Sequence, residues 1–329
     1  VSGFFSARRR FQPIISETLS GSAVILTIVV SAMASFPLSR YRLGWNAIML
    51  GLFLSGIAPG ASAQSPELTG TLKKIRDTGV IALGHRAESA PFSFVNAEGR
   101  PDGYSVDLCL GVADSIKETL QLPRLQVKWV PVTSADRIDQ VTSGKVDLEC
   151  GTTSATLSRQ ASVDFSNLIF VDGTGLLVRN DRNVRRIADL ANGTVAVTAG
   201  TTTEAALRQA FAQRAITATV VTVKNELEGL AAVEAGHFDA YANDRLILIG
   251  VARKARDLSA LSLVDEDASM EPYALMMRHD PSFRLAVNRS LSALYRSPGI
   301  GEIYDRWFGG FGQPSPLLAA MYYLNATPE

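Results

Sequence analysis

The chain has 329 residues, 47% of them hydrophobic, and carries 32 basic and 32 acidic side chains. That is enough apolar material for a large core shared between two domains, and a net charge of zero excludes the polybasic footprint of a nucleic-acid binder. Two cysteines without a CxxC and three scattered histidines (His85, His237, His279) offer no metal-ligand spacing, so neither a metal nor a cofactor is expected.

Residues 1–63 stand apart from the rest. Arg40 and Arg42 form a basic region, residues 43–57 an apolar one, and Ala61-Ser62-Ala63 a small-x-small cleavage site before Gln64, the pattern of a cleaved export signal. Asn46, Gly51 and Gly56 interrupt the apolar run, which falls short of the ~20 residues a membrane span needs. Met33 opens a signal peptide (33–63) of ordinary length, so residues 1–32 are expected to be a mis-called upstream extension. No cysteine follows the cleavage site, so an exported protein without a lipid anchor is expected. Five basic and one acidic residue fall in 1–63, leaving 27 basic and 31 acidic ones. A binder of small anions would therefore need local arginines, because global charge does not attract its ligand. Export permits Cys109 and Cys150 to pair; two buried free thiols are the alternative.

Residues 68–77 place apolar and basic side chains at helical spacing and stop at Gly79. Residues 80–84 form a short apolar strand ending at Gly84-His85-Arg86, which puts Arg86 where open α/β sheets hold ligands, although a plain loop arginine reads the same way. A strand and tight turn (91–99) and a helix (103–120) follow. The alternating strand 125–132 ends at Thr133-Ser134-Ala135-Asp136-Arg137, where a hydroxyl three residues before an acid marks a capped helix start. The next strand, 146–148, ends at Gly151, followed by Thr152, Thr153 and Ser154, with Arg159 one to two helical turns later. Free N–H groups, hydroxyls and a guanidinium there make a carboxylate seat; a solvated turn with a surface arginine is the alternative.

Residues 169–179 are extended and glycine-rich, as in a strand crossing into a second domain. Strand 194–198 leads to Gly200-Thr201-Thr202-Thr203-Glu204, a strand-to-helix turn with a capping box from Thr201 to Glu204 and a second carboxylate seat at the helix N-terminus. Helix 205–211, strand 217–223, helix 226–235 and strand 238–242 complete that block. Asp244, at the last strand's end, either pairs with a ligand ammonium or caps the helix from Leu246. Residues 261–264 and 273–278 return as extended chain, then come helices at 281–295 and 299–307 and a tail, 313–329. Strands alternate with helices in two blocks, which predicts an α/β protein of two lobes, 67–172 plus 268–312 and 175–265, joined by two crossing strands that form a hinge over a cleft.

The stretches GTLKKIRDTGVIALGHR (70–86), PVTSADRI (131–138), DLECGTTSATLSRQ (147–160), TAGTTTE (198–204) and YDRWFGG (304–310), in this order and spacing, resemble the polar amino-acid-binding proteins of bacterial ABC importers, solute-binding protein family 3. Within that family the chain is most similar to the glutamate/aspartate-binding group, over nearly all of residues 67–312. The resemblance implies a type II periplasmic binding fold, each lobe a mixed sheet flanked by helices. It also implies that Arg159, with Ser154 and Thr202, clamps the ligand α-carboxylate. Asp244 and Thr152 would hold the α-ammonium, and Arg86, Ser134 and Arg137 would receive a side-chain carboxylate. The implied ligands are L-glutamate, L-aspartate or their amides, and the implied partner is a membrane permease that a monomer serves. One position departs: where the group places a histidine, this chain has Glu226. A carboxylate there disfavours an acidic side chain and favours an amide if it enters the pocket; the alternative is a Glu226 that faces solvent. A periplasmic dehydratase on the same scaffold, with Glu226 as its general acid, is the competing reading.

Overall fold

The structure is a computed structural model that describes residues 68–328. The expected export signal (33–63) and upstream extension (1–32) lie outside the described residues.

The first helix, α1 (Gly70–Thr78), stops where Gly79 takes a left-handed conformation (φ 66°) and its N–H bonds the Ile75 carbonyl. It feeds β1 (Val80–His85), then a small three-stranded sheet of β2 (Glu88–Ser89), β3 (Ser93–Val95) and β4 (Pro101–Asp102). α2 (Tyr104–Thr119), β5 (Gln126–Pro131), α3 (Arg137–Thr142), β6 (Leu148–Glu149) and the single turn α4 (Leu157–Gln160) follow. The long strand β7 (Asp164–Arg179) leads into β8 (Thr194–Thr198), α5 (Thr202–Gln213), β9 (Thr219–Val223), α6 (Glu226–Glu234), β10 (Ala240–Asp244) and α7 (Arg245–Ala252). A second long strand, β11 (Leu261–Met277), returns the chain to α8 (Pro281–Tyr295), α9 (Gly299–Phe308) and α10 (Pro316–Asn325).

The main sheet has the order β5-β1-β6-β11-β7-β10-β8-β9. β1 runs parallel to β5 and β6, and β10 parallel to β8, which in turn runs parallel to β9. The antiparallel pair β7 and β11 joins these two parallel halves. Their register breaks between Asp265 and Met270, where β11 changes partners from Gly175 to Gly173. One half of each long strand thus belongs to each lobe, and the irregularity sits between them.

Side-chain alternation explains how each sheet buries both faces. In the second lobe Leu176 and Val178, Val195 and Val197, and Ala240 and Ala242 point to one cluster, while Leu177, Ala196 and Tyr241 point to another. In the first lobe Leu83, Leu148 and Leu275 face the largest cluster together with Phe92, Tyr104 and Phe308. Ala274 and Met276 face a smaller one with Val132 and Val146. Cys109 of α2 and Cys150, just past β6, are joined by a disulfide.

Three details differ from expectation. Thr201 does not close a capping box: its hydroxyl donates back to the Thr198 carbonyl at 2.8 Å, and Glu204 pairs with Arg208 one turn along α5. Asp244 does not cap α7, because Asp172 of β7 accepts from the Leu246 N–H at 3.0 Å instead. Residues 313–329, expected as a tail, contain α10, which Ser315 caps and Pro316 opens. Leu318, Met321 and Tyr322 of that helix are buried in the first-lobe core, and the Tyr322 hydroxyl bonds that of Tyr104 at 2.8 Å.

Candidate functional site

Parallel strands end on the same side of a sheet, so the segments after β1, β5 and β6 meet at one edge of the first lobe. They carry Arg86; Ser134 and Arg137; and Thr152, Ser154 and Arg159. All but Arg159 are buried. Facing them from the second lobe are Thr202 at the start of α5, Glu226 at the start of α6 and Asp244 at the end of β10. Contacts and charge interactions link Arg86, Ser134, Arg137, Ser154, Arg159, Thr202, Glu226 and Asp244 between the lobes, and Thr152 is buried in the segment after β6.

The lobes are in direct contact across the cleft between them. Arg137 Nη2 and Arg159 Nη2 both donate to the Gly200 carbonyl, at 3.3 and 3.2 Å. Gly200 has φ +77°, and a Cβ there would lie 2.7 Å from the Ser134 carbonyl oxygen, so only glycine allows this approach. Arg159 Nη1 also donates to the Ser154 carbonyl at 2.9 Å. Arg86 Nη2 donates to Glu226 Oε1 at 2.9 Å, and Ser89 Oγ donates to the same oxygen at 2.8 Å. Glu226 is 2% exposed, which answers the question the sequence left open: it enters the cleft and does not face solvent.

Burial and the neighbouring guanidinium of Arg86 pull Arg137 down to about 9, a cation short of compensating acceptors. Arg159 is lowered by burial too, an effect that Glu271, Glu149 and Asp244 oppose. On the acidic side, burial and then the charges of Glu271 and Asp172 push Asp244 well above the usual carboxylate range. It accepts from Tyr273 and, at 3.3 Å, from Thr203. Burial likewise raises Asp172 to about 6.

Two acids at the cleft escape a sequence reading. Glu271 of β11 is 1% exposed, and its Oε2 accepts from Ser154 of one lobe and, at 2.6 Å, from Thr202 of the other. Glu149, wholly buried in β6, accepts from Thr153 at 2.9 Å. The available signal was an acid set inside an otherwise apolar strand, in LEC (148–150) and in MEPYALMM (270–277). A carboxyl group is tolerated in a core only beside partners.

A cleft lined by three guanidiniums and by carboxylates, closed from both sides, is suited to seizing a small zwitterion. The comparisons agree. Residues 81–310 match the family of bacterial extracellular solute-binding proteins, family 3. The chain belongs to this family. It is 40% identical over 258 residues to an L-glutamate/L-aspartate-binding protein of Pseudomonas aeruginosa, covering 78% of this chain and 84% of that one. It is 33% identical over 261 residues to a glutamate/aspartate import solute-binding protein of Escherichia coli, covering 79% and 86%. Among solved structures, it resembles an ancestral amino acid-binding protein described as a precursor of cyclohexadienyl dehydratase, with a TM-score of 0.64, 27% identity and coverage of 73% and 100%. The fold is thus the two-lobed type II periplasmic binding fold. The close relatives are binding proteins, so the chain is a solute-binding protein of the amino-acid transport type and not a dehydratase. Among the described residues no helix is long and apolar enough to cross a membrane, and no group of three or more potential ligands could hold a metal ion.

Proposed function

We propose that this protein is the extracytoplasmic receptor of an ABC importer for α-amino acids with an acidic or amide side chain, and that it works as a periplasmic monomer freed from its signal peptide after Ala63. The observation that carries this reading is the convergence of Arg86, Arg137 and Arg159 from one lobe and Asp244 from the other on one cleft. In this reading Arg159 takes the ligand α-carboxylate with help from Ser154 and Thr202. Its planar fork matches two carboxylate oxygens. Asp244, with Thr152, takes the α-ammonium, and the side chain extends toward Arg86, Ser134 and Arg137. The lobes are 67–172 with 268–312, to which α10 adds its buried face, and 175–265; the strands β7 and β11 supply the hinge.

Ligand groups touching both lobes favour the closed arrangement over the open one by their differential contacts alone, and that difference is what a permease reads. Titration calorimetry of the purified protein against the twenty amino acids tests the reading. It expects saturable binding of at least one of glutamate, aspartate, glutamine and asparagine. Heat-silent titrations with all four, and no thermal stabilisation by any, would end it.

A further inference from the structure

We infer that the far end of the cleft is built for a side-chain carboxamide, so that glutamine and asparagine, and not glutamate and aspartate, are the preferred ligands. The inference rests on the amino-acid reading above and turns on three side chains. Ser134 Oγ, Arg137 Nε and Glu226 Oε2 are all buried, and none has a hydrogen-bond partner among the described residues. A chain of contacts links them: Arg86 and Ser89 hold the other oxygen of Glu226, Arg86 is the strongest like charge acting on Arg137, and Arg137 reaches across to the same Gly200 that packs on Ser134.

Their polarities are mixed. Arg137 Nε is only a donor, Glu226 Oε2 in its ionised form only an acceptor, and the Ser134 hydroxyl is both. A carboxamide presents a carbonyl oxygen and an NH2 group from one carbon, and satisfies a buried donor and a buried acceptor together. A carboxylate presents two acceptors. It suits Arg137 and Ser134 but leaves Glu226 Oε2 unpaired and opposite a like charge, the arrangement in which both carboxylates cannot ionise without cost. A cationic side chain meets Arg86 and Arg137 instead. The charge already in the cleft points the same way: Glu149, Glu226 and Glu271 stand against Arg86, Arg137 and Arg159, while Asp244, held above the usual carboxylate range, is left for the ligand ammonium. The arginines that would otherwise demand an acidic ligand have resident counterions, so a ligand of zero net charge fits best.

Glu226 is thus a specificity-determining residue, and its substitution separates this role from a structural one. Glu226→Gln keeps an oxygen for Arg86 and Ser89 but removes the charge. In calorimetry at neutral pH, the wild-type chain should bind glutamine or asparagine at least about tenfold more tightly than the matching acid, since an unpaired buried group typically discriminates by that much or more. In the Glu226→Gln protein the ratio should swing toward the acids by a similar factor, because Arg86 then lacks its counterion. A wild-type ratio within about threefold of one, or one that favours the acids, overturns the amide assignment while leaving an amino-acid receptor in place. Binding of none of the four overturns the receptor reading itself. The wild-type ratio decides the matter even if the variant fails to fold.

Discussion

Closure of the lobes is open to a test at a point where no ligand is touched. Gly250 lies in α7 of the second lobe, and an added Cβ would stand 2.1 Å from the Ala90 carbonyl oxygen and 2.7 Å from its carbon, next to β2 of the first lobe. These are backbone atoms and no rotamer change relieves them, so Gly250→Ala holds the lobes roughly 1 Å further apart at that contact if normal packing distances are to be restored. The Arg137–Gly200 and Arg159–Gly200 hydrogen bonds, at 3.3 and 3.2 Å, have no slack to follow. Overpacking of this kind costs about 1–3 kcal/mol. Because the cost falls on the closed state alone, ligand affinity should drop by roughly 5- to 150-fold. The ligand-free protein should not suffer, since alanine exceeds glycine in helix propensity by about 1 kcal/mol. Calorimetry gives the affinity, thermal melts the stability, and small-angle scattering should show a ligand-saturated radius of gyration larger than that of wild type. Gly301→Ala in α9, where nothing lies within 4 Å of the added atom, is the control. An affinity within twofold of wild type would refute closure through this contact.

Arg159→Lys exchanges a planar fork for a point charge, and should weaken every amino-acid ligand by roughly 5- to 10-fold, the size of an exchanged hydrogen bond, without changing their order of preference. Calorimetry across glutamine, asparagine, glutamate and aspartate checks both parts. Replacing Cys109 and Cys150 with serine removes a link spanning 41 residues of sequence, which chain entropy values at about 4 kcal/mol; thermal denaturation should show it as a loss of several degrees. Asp244 is held above its unfolded pKa, so its contribution to stability is complete below the unfolded value and fades as pH rises through the folded one. The ligand-free melting temperature should therefore fall as pH climbs above the ordinary carboxylate range. A ligand ammonium reverses the shift, so binding should release a proton, and calorimetry in two buffers of different ionisation enthalpy should report it. Asp244→Asn abolishes that release.

The architecture was readable because its signals are local. Gly79 ends α1 by a left-handed turn, and Thr133 and Asp136 cap each other's N–H groups at 3.2 and 2.7 Å, as their spacing requires. The period-two pattern of Val195, Ala196 and Val197 likewise meets two separate cores. Contacts between residues far apart in sequence were not readable. Asp172 displaces Asp244 as the cap of α7 because β7 and α7 pack together, leaving Asp244 free to turn toward Tyr273. Glu226 begins a helix and reads equally as a solvated first-turn acid; only its meeting with Arg86, 140 residues earlier, decides otherwise. α10 was missed for a different reason. Ser315 and Pro316 are ordinary helix-start signals, but the proline pair at 314 and 316 read as the marker of a tail.

The two ends of the cleft differ in what a ligand can gain from them. At the hinge end the polar groups already serve each other: Glu271 accepts from Ser154 and Thr202, and Arg159 donates to two carbonyls. A ligand carboxylate arriving there exchanges one set of hydrogen bonds for another, and an exchange contributes less than a new bond. At the far end Ser134, Arg137 and Glu226 hold buried atoms without partners, and each bond a ligand makes there relieves a desolvation cost the protein already bears. Differential affinity for the closed state therefore concentrates at the side chain of the ligand rather than at the amino-acid backbone. A receptor arranged this way tells side chains apart steeply while binding the common α-groups only modestly.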